Sequence, residues 1–428
     1  MIRRFLVSVL VATTAASAAE FSLDRAVEHA VANNRTLAAT GRYEIEKAQG
    51  RALQAGLPKN PEIEVGGRSD LLFKNEGERT VSLGLSQSLA RRGRLQKARA
   101  AANLSVEEQR ELAREAERLL IGEVQTLYVQ AMGIDARYAA RQKSIETGAK
   151  LAGLVQQRFQ AGEVPQTDLA PIQIENVKLA QEQFLLVAEK TAAELKLKLA
   201  LGLAAEESLT LTSTVEEVAT RWSRAADAPF RPEARPDYRA ARVRIAQTEA
   251  EVQVAKAEAY DDIVVGADYE NERLMFDAPI GVKKDQYLGV KVSIPIPVRN
   301  KNQGRILERQ AAHRQAEAEL DAAGQRIASE VAQARAAIAQ LEPLLTRYRD
   351  ELLPLAEKHF AAVQRAYRQG QLGIAPVFQA QQQRFALEID YQTFLARKSE
   401  ALVAVETATG AHPHVRALHS HPHSPTLP

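Results

Sequence analysis

Two short stretches of the chain alternate apolar and polar residues with a period of two, and each is set among much longer stretches of helical periodicity. Val81, Leu83, Leu85 and Leu89 alternate with Ser82, Gly84, Ser86 and Ser88. Leu288, Val290, Val292, Ile294 and Ile296 alternate with Gly289, Lys291, Ser293 and Pro295. This spacing predicts strands over about 80–90 and 286–297, each with one apolar and one polar face. Partner strands are expected at about 61–70 and 261–272, where the alternation is weaker. The polar stretches Lys74–Glu78 and Asp277–Asp285 read as solvent-exposed loops.

An amphipathic helix precedes each strand pair, from Ser22 (a plausible N-cap) to about Gly56 and from Arg235 to about Tyr260. Very long helical patterns follow, about Gly93–Gln160 and Gly304–Gln369. At 1.5 Å per residue, roughly 65 residues reach about 100 Å, more than a single globular domain needs. Pro343 and Pro354 should kink or break the second of these. Glycine-centred turns at Gly162–Gln166 and Gly370–Ala375 then reverse the chain into return helices, about Thr167–Leu201 and Pro376–Thr409. Thr167 or Asp168 is a reasonable cap for the first.

The two halves repeat each other. Pro61–Gly67 matches Asp261–Ala267, Val81–Ser86 matches Leu288–Ser293, and Arg158–Val164 matches Ala366–Leu372, in the same order and with nearly the same gaps. The chain therefore divides into a first repeat at 20–201, a linker at 202–234, a second repeat at 235–409 and a tail at 410–428.

Composition fits long, thin helices: aromatic residues are 5% and Trp222 is the only tryptophan. A net charge of +2 gives no reason to expect a nucleic-acid partner. Without cysteine there is no disulfide and no thiolate chemistry. Arg3 and Arg4, the apolar run Phe5–Ala12 and Ala16-Ser17-Ala18-Ala19 read as a signal peptide over 1–19. Nothing after it is apolar and long enough for a transmembrane helix, so any membrane crossing must use strands. Four strands cannot close a barrel, and open edges in lipid cost several kcal/mol per unpaired group. Association is therefore required; three copies would supply twelve strands.

No phosphate loop, dinucleotide fingerprint, zinc-protease motif or nucleophile elbow is present, so no enzyme, catalytic residue or cofactor is expected. Asp261-Asp262 and Glu107-Glu108 read as solvated faces, and His29, His313 and His359 as helix-surface residues.

The ordered phrases Asp24–Asn34, Arg235–Ala241, Ser293-Ile294-Pro295-Ile296-Pro297 and Leu353–Glu357, with the Tyr/Phe-x-x-Gly turns, resemble the TolC-type outer-membrane efflux protein family over the whole mature chain. The resemblance implies a mainly α fold with a β-barrel part. In it a homotrimer forms a 12-stranded transmembrane barrel in outer-membrane lipid, continuous with a periplasmic α-helical barrel. It also implies docking to a periplasmic adaptor and an inner-membrane pump of the resistance-nodulation-division type. By the same resemblance the hairpin tips, with Phe159, Gly162, Gly370 and Leu372, form the docking entrance, and Asp168 and Tyr367 take part in its gate. Asp168 is equally a helix N-cap and Tyr367 equally a packing residue. Pro376 and Gln379 stand where relatives carry an acidic ring. Length and repeat details are most similar to the CzcC-like heavy-metal branch.

Five histidines, His412, His414, His419, His421 and His423, crowd the Pro- and Ser-rich tail. They read either as transient ligands for divalent metals or as a solvated tail without a role. Three other functions compete with a metal duct. A drug duct differs in substrate alone. A periplasmic adaptor should have one hairpin, not two, and a secreted coiled coil leaves the apolar strand faces unexplained.

Overall fold

The computed structural model describes residues 19–72, 77–223, 229–276 and 281–410. The expected signal peptide, most of the 74–78 loop, residues 277–280 and the histidine tail lie outside the described residues. The chain falls into two compact units. One comprises residues up to 38, 116–234 and 326 onward, and the other comprises 39–115 and 235–325. Each unit contains corresponding pieces of both sequence repeats.

The 39–115/235–325 unit holds the strands β2 (Glu62–Ser69), β3 (Arg79–Leu89), β5 (Ile263–Phe276) and β6 (Gly281–Ser293). They form one antiparallel sheet in the order β2-β3-β5-β6, so the two hairpins join through β3 and β5. Among the described residues the outer edges of β2 and β6 have no partner strand. Register aligns Ile63, Leu85, Ala267 and Val290 in one row and Val65, Leu83, Tyr269 and Leu288 in the next. Their large side chains stand exposed, Val65 at 76% and Leu288 at 82%, as one apolar face. From Val81 to Leu89 that face runs about 26 Å along β3, close to the ~25 Å apolar band of an outer-membrane barrel. Pairing of Phe276 with Gly281 carries β6 into 281–285, which the sequence reading assigned to a loop.

Beside the sheet lie α3 (Arg42–Ala55), α7 (Pro236–Ala257) and the starts of α4 (Arg94–Gln160) and α8 (Gln303–Arg347). Ala48, Ala52 and Val106 make a small core. Ion pairs supply much of the remaining contact: Glu108–Arg244 at 3.1 Å, Glu111–Arg239 at 2.8 Å and Glu251–Arg309 at 2.8 Å. Glu108 is buried, and Asp262 is held by Arg94 at 2.6 Å and Lys59 at 3.5 Å. Both therefore join elements and are not the solvated faces expected. His313 is also half-buried, 3.1 Å from Thr248 Oγ1.

The other unit begins with β1 (Ala19–Phe21), which pairs in parallel with β4 (Leu209–Leu211). The expected single helix from Ser22 breaks into α1 (Leu23–Asn33), α2 (Arg35–Thr40) and α3. Ser22 caps α1 as expected, accepting from the Arg25 amide. Asn34 ends α1 because its side chain competes for backbone groups: Nδ2 donates to Ala200 O at 3.0 Å while Oδ1 accepts from Leu37 N at 3.0 Å. His29, expected on the surface, packs edge-on to Phe21 and lies 3.2 Å from Leu201 O. The linker reading of 202–234 missed β4 and α6 (Val215–Ser223), whose Val215, Val218 and Trp222 enter the main core with Tyr128, Ile121 and Leu402.

Pro343 does not break α8, which runs through it. Pro354 acts as expected of an imino acid. A π-helix at Tyr348–Leu352 precedes it, where Leu353 N bonds to Tyr348 O five residues back, and α9 (Leu353–Arg368) starts with Pro354 in its first turn. The wider turn accommodates the missing donor. α4 and α10 (Ile374–Thr409) approach closely where side chains are smallest. A Cβ at Gly133 would lie 2.7 Å from that of Ala396, and one at Gly122 would meet Thr407 at 2.6 Å.

Candidate functional site

Two helical hairpins end in matching turns. The last turn of α4 closes by the Glu163 amide donating to Arg158 O at 2.9 Å and Gly162 N to Phe159 O at 2.9 Å. After α9 the Gln371 amide donates to Ala366 O at 2.9 Å and Gly370 N to Tyr367 O at 3.0 Å. Gly162 and Gly370 sit at φ 75° and 74°, the left-handed region that a Cβ disfavours. Nothing lies within 4 Å of a Cβ built on either glycine, so backbone conformation alone selects glycine there.

Behind the turns Val155, Leu169, Ile172, Phe360, Ile374 and Phe378 form a separate core, which ties α4, α5 (Gln166–Leu201), α9 and α10 together. Tyr367 belongs to it and is 6% exposed. Its hydroxyl accepts from Arg158 Nη1 at 2.9 Å, and the same guanidinium lies 4.9 Å from its ring centroid. Arg158 also approaches Glu163 at 3.7 Å. Phe159 packs against this core from its edge, while Leu372 is 41% exposed beside the second turn. Nothing adjacent to Arg158 in the sequence marks it as a partner of Tyr367. The signal was the mismatch between repeats, Arg158-Phe159 against Ala366-Tyr367, which makes the pair available only once.

Helix α5 starts at Gln166 with Pro165 as N-cap, so Thr167 and Asp168 stand inside its first turn and neither is the cap. The side chains of Thr167 and Asp168 lie outside the described residues, so Tyr367 alone of the expected gate pair has a described environment. Ion pairs zip α4 to α5: Asp135–Lys190, Arg137–Glu189 and Arg141–Glu182, each at 2.7 Å. The hydrogen bond that Lys190 donates to Asp135 holds its ammonium above its usual pKa against the opposing effect of burial. Across α9 and α10, Arg384 pairs with Glu357 at 2.8 Å and stacks over Phe360 and Phe385.

A second surface is the polar face of the sheet. The register puts Glu62, Glu64, Asp268, Glu270, Glu272 and Asp285 on it, against Arg68, Lys283 and Lys291. Six carboxylates against three cations give this face a negative bias. Among the described residues no group of three or more His, Cys, Asp or Glu is arranged to hold a metal ion. No described helix is long and apolar enough to cross a membrane.

Comparison with known proteins agrees with this architecture. The family model described as outer membrane efflux protein matches residues 26–203 and 233–411. The pyoverdine export outer membrane protein OpmQ of Pseudomonas putida is 27% identical over 422 residues, spanning 91% of this chain and 85% of that protein. A membrane protein of Pseudomonas aeruginosa superposes with TM-score 0.71 at 23% identity, covering 90% of this chain and 92% of that one. The CmeC outer membrane channel of Campylobacter jejuni gives TM-score 0.70 at 15% identity, covering 91% and 85%.

Proposed function

Because the chain belongs to the outer membrane efflux protein family, we propose that three copies form the outer-membrane duct of a tripartite efflux system. The observation that carries this reading is the four-stranded sheet with two open edges, one apolar face and one polar face. Such a sheet is satisfied in lipid only when copies pair edge to edge and close a ring. The polar faces then line water. The duct is passive, and energy comes from an inner-membrane pump of the resistance-nodulation-division type, coupled through a periplasmic adaptor. Fractionation with crosslinking tests the assembly: an outer-membrane trimer is expected, and a soluble periplasmic monomer would overturn it.

The cargo in this reading is divalent heavy-metal cations. The negative bias of the polar sheet face supports it, since a carboxylate-lined conduit concentrates cations. His412, His414, His419, His421 and His423 would serve as weak, transient ligands. A second reading is export of a larger small molecule, favoured by the relative named for pyoverdine export. A deletion strain challenged with Zn, Co, Cd, Ni and Cu beside lipophilic drugs separates the two, and sensitivity to drugs alone would sink the metal reading.

The hairpin turns are the adaptor-facing end in this proposal, with Phe159, Gly162, Gly370 and Leu372 as docking positions. Asp168 and Tyr367 belong to the resting gate. The Arg158–Tyr367 contact supports the gate, because it couples the end of α4 to the end of α9 within one hairpin pair.

A further inference from the structure

The strand–helix junctions of the sheet unit carry more positive charge than the chain itself neutralises. In the first repeat the apolar face ends at Leu89 and is followed by Arg91 and Arg92; in the second it ends at Ile296 and Val298, followed by Arg299 and Lys301. Arg92 is held at φ 55° next to Gly93 at φ 64°, two left-handed residues in succession. A Cβ disfavours this conformation. The conformation sets the Arg92 guanidinium 4.3 Å from the Tyr260 ring centroid, with Arg91 at 5.6 Å over the same ring. Arg91 Nη1 also donates to Pro295 O at 3.3 Å, which brings the first junction against the second.

Three neighbouring cations are already matched: Arg94 and Lys59 by Asp262, and Arg305 by Glu258 at 3.3 Å. Arg91, Arg92, Arg299 and Lys301 have no carboxylate within ion-pair distance among the described residues. An open cleft of about 620 Å³ lies alongside, where Arg299 joins the apolar Ile296 and Val298, with Arg94 and Arg305 beside Glu258 and Asp261. Leu89, Ile294, Ile296 and Val298, next to these cations, are 49–78% exposed.

We infer that this rim binds the phosphate headgroup of an anionic phospholipid whose acyl chains lie along Leu89, Ile294 and Ile296. A free phosphate has no use for the apolar strip, and a neutral lipid has no use for four uncompensated cations. One amphiphile satisfies both. Guanidinium forks match phosphate oxygens, and the stem of each arginine covers apolar surface while its head stays at the polar boundary. The inference rests on the apolar sheet face meeting outer-membrane lipid, in keeping with the family to which the chain belongs.

The test uses the full-length protein purified in detergent. Retention of phosphatidylglycerol and of phosphatidylcholine with identical acyl chains is read by native mass spectrometry. A preference of at least about tenfold for phosphatidylglycerol is expected at low salt, since each basic residue near the headgroup adds to the attraction. The preference should fall when salt is raised from about 0.05 to 0.5 M. The pairwise variants Arg91→Gln with Arg92→Gln, and Arg299→Gln with Lys301→Gln, should each lose part of it. Lys178→Gln, an exposed lysine in the other unit, should lose none. Equal retention of the two lipids, a salt-independent preference, or full displacement by inorganic phosphate would each overturn the site. If a pair of substitutions prevents assembly, the salt titration of the unaltered protein still decides. Failure of the membrane reading itself looks different: the protein then retains neither lipid.

Discussion

Arg158 donates a hydrogen bond to the hydroxyl of Tyr367 at 2.9 Å and lays its guanidinium over the same ring, joining the C-terminal ends of two helices 209 positions apart in the chain. The ring is nearly buried, so the hydroxyl is the part of Tyr367 that its replacement by Phe would remove without opening a cavity. A hydrogen bond to a charged group contributes about 1.5–3 kcal/mol. If the contact holds the closed entrance, Tyr367→Phe combined with Asp168→Ala should raise the open population roughly tenfold or more. Single-channel conductance in planar bilayers reads this, and an unchanged closed-state conductance would count against a gating role for Tyr367. Arg158→Gln should reproduce most of the effect.

The contact between Gly133 and Ala396 sets how closely α4 and α10 pack. Gly133→Ala puts two methyl carbons 2.7 Å apart, an overlap that forces the helices to separate and costs about 1–3 kcal/mol. Thermal unfolding should therefore occur at lower temperature in Gly133→Ala. Adding Ala396→Gly should restore most of the loss, since the second substitution removes the atom that clashes. A double-mutant cycle with no coupling would place the two helices further apart than described.

Glu400 lines a cleft with Gln130, Arg137, Lys196 and Arg397, and burial pushes its carboxyl above the ordinary glutamate value, partly opposed by the Gln130 hydrogen bond and Arg397. The folded state therefore holds this proton more tightly than the unfolded state. Stability contributed by the protonated form is full below the ordinary glutamate pKa of 4.5 and is lost as pH rises through the higher folded value. Glu400→Gln should thus be stabilising at neutral pH, by about 1–2 °C in Tm, and neutral below the ordinary value. Melting curves at acidic and neutral pH measure the difference; a stabilisation larger in acid than at neutrality contradicts the assignment.

Opposite faces of the four-stranded sheet should respond oppositely to charge. Leu288→Arg puts a guanidinium in the apolar row beside Tyr269, at a cost of about 2–4 kcal/mol if that row faces the middle of a bilayer. Ser82→Lys, on the polar face beside Glu270, should leave assembly intact and reduce the preference for cations. Yield of the folded oligomer in outer-membrane fractions tests the first, and reversal potentials in a salt gradient test the second. Equal assembly defects would mean that the sheet does not separate lipid from water.

The strands were legible because period-two alternation is local. The two faces of β3 can be named from Val81, Leu83 and Leu85 without knowing what pairs with them. The hairpin turns were legible for a similar reason, since Gly162 and Gly370 mark places where only the backbone decides. The contact behind the hairpin turns was half legible. Tyr367 stood out by resemblance, but Arg158 did not, because nothing in its neighbourhood along the chain reveals a partner 209 residues away.

What the sequence by itself determined is the repeated part of the architecture: strand faces, turn glycines and the duplication that predicts a sheet with open edges. Only the tertiary structure decided how side chains compete for long-range partners. Asn34 ends a helix by bonding to Ala200 O, and Glu108 and Asp262 become cross-links because arginines from other elements reach them. Pro354 is absorbed by a π-turn where Pro343 leaves its helix running. Periodicity records what a residue prefers locally. Burial and charge pairing depend on segments far away in the chain, so they exist only once the fold has brought those segments together.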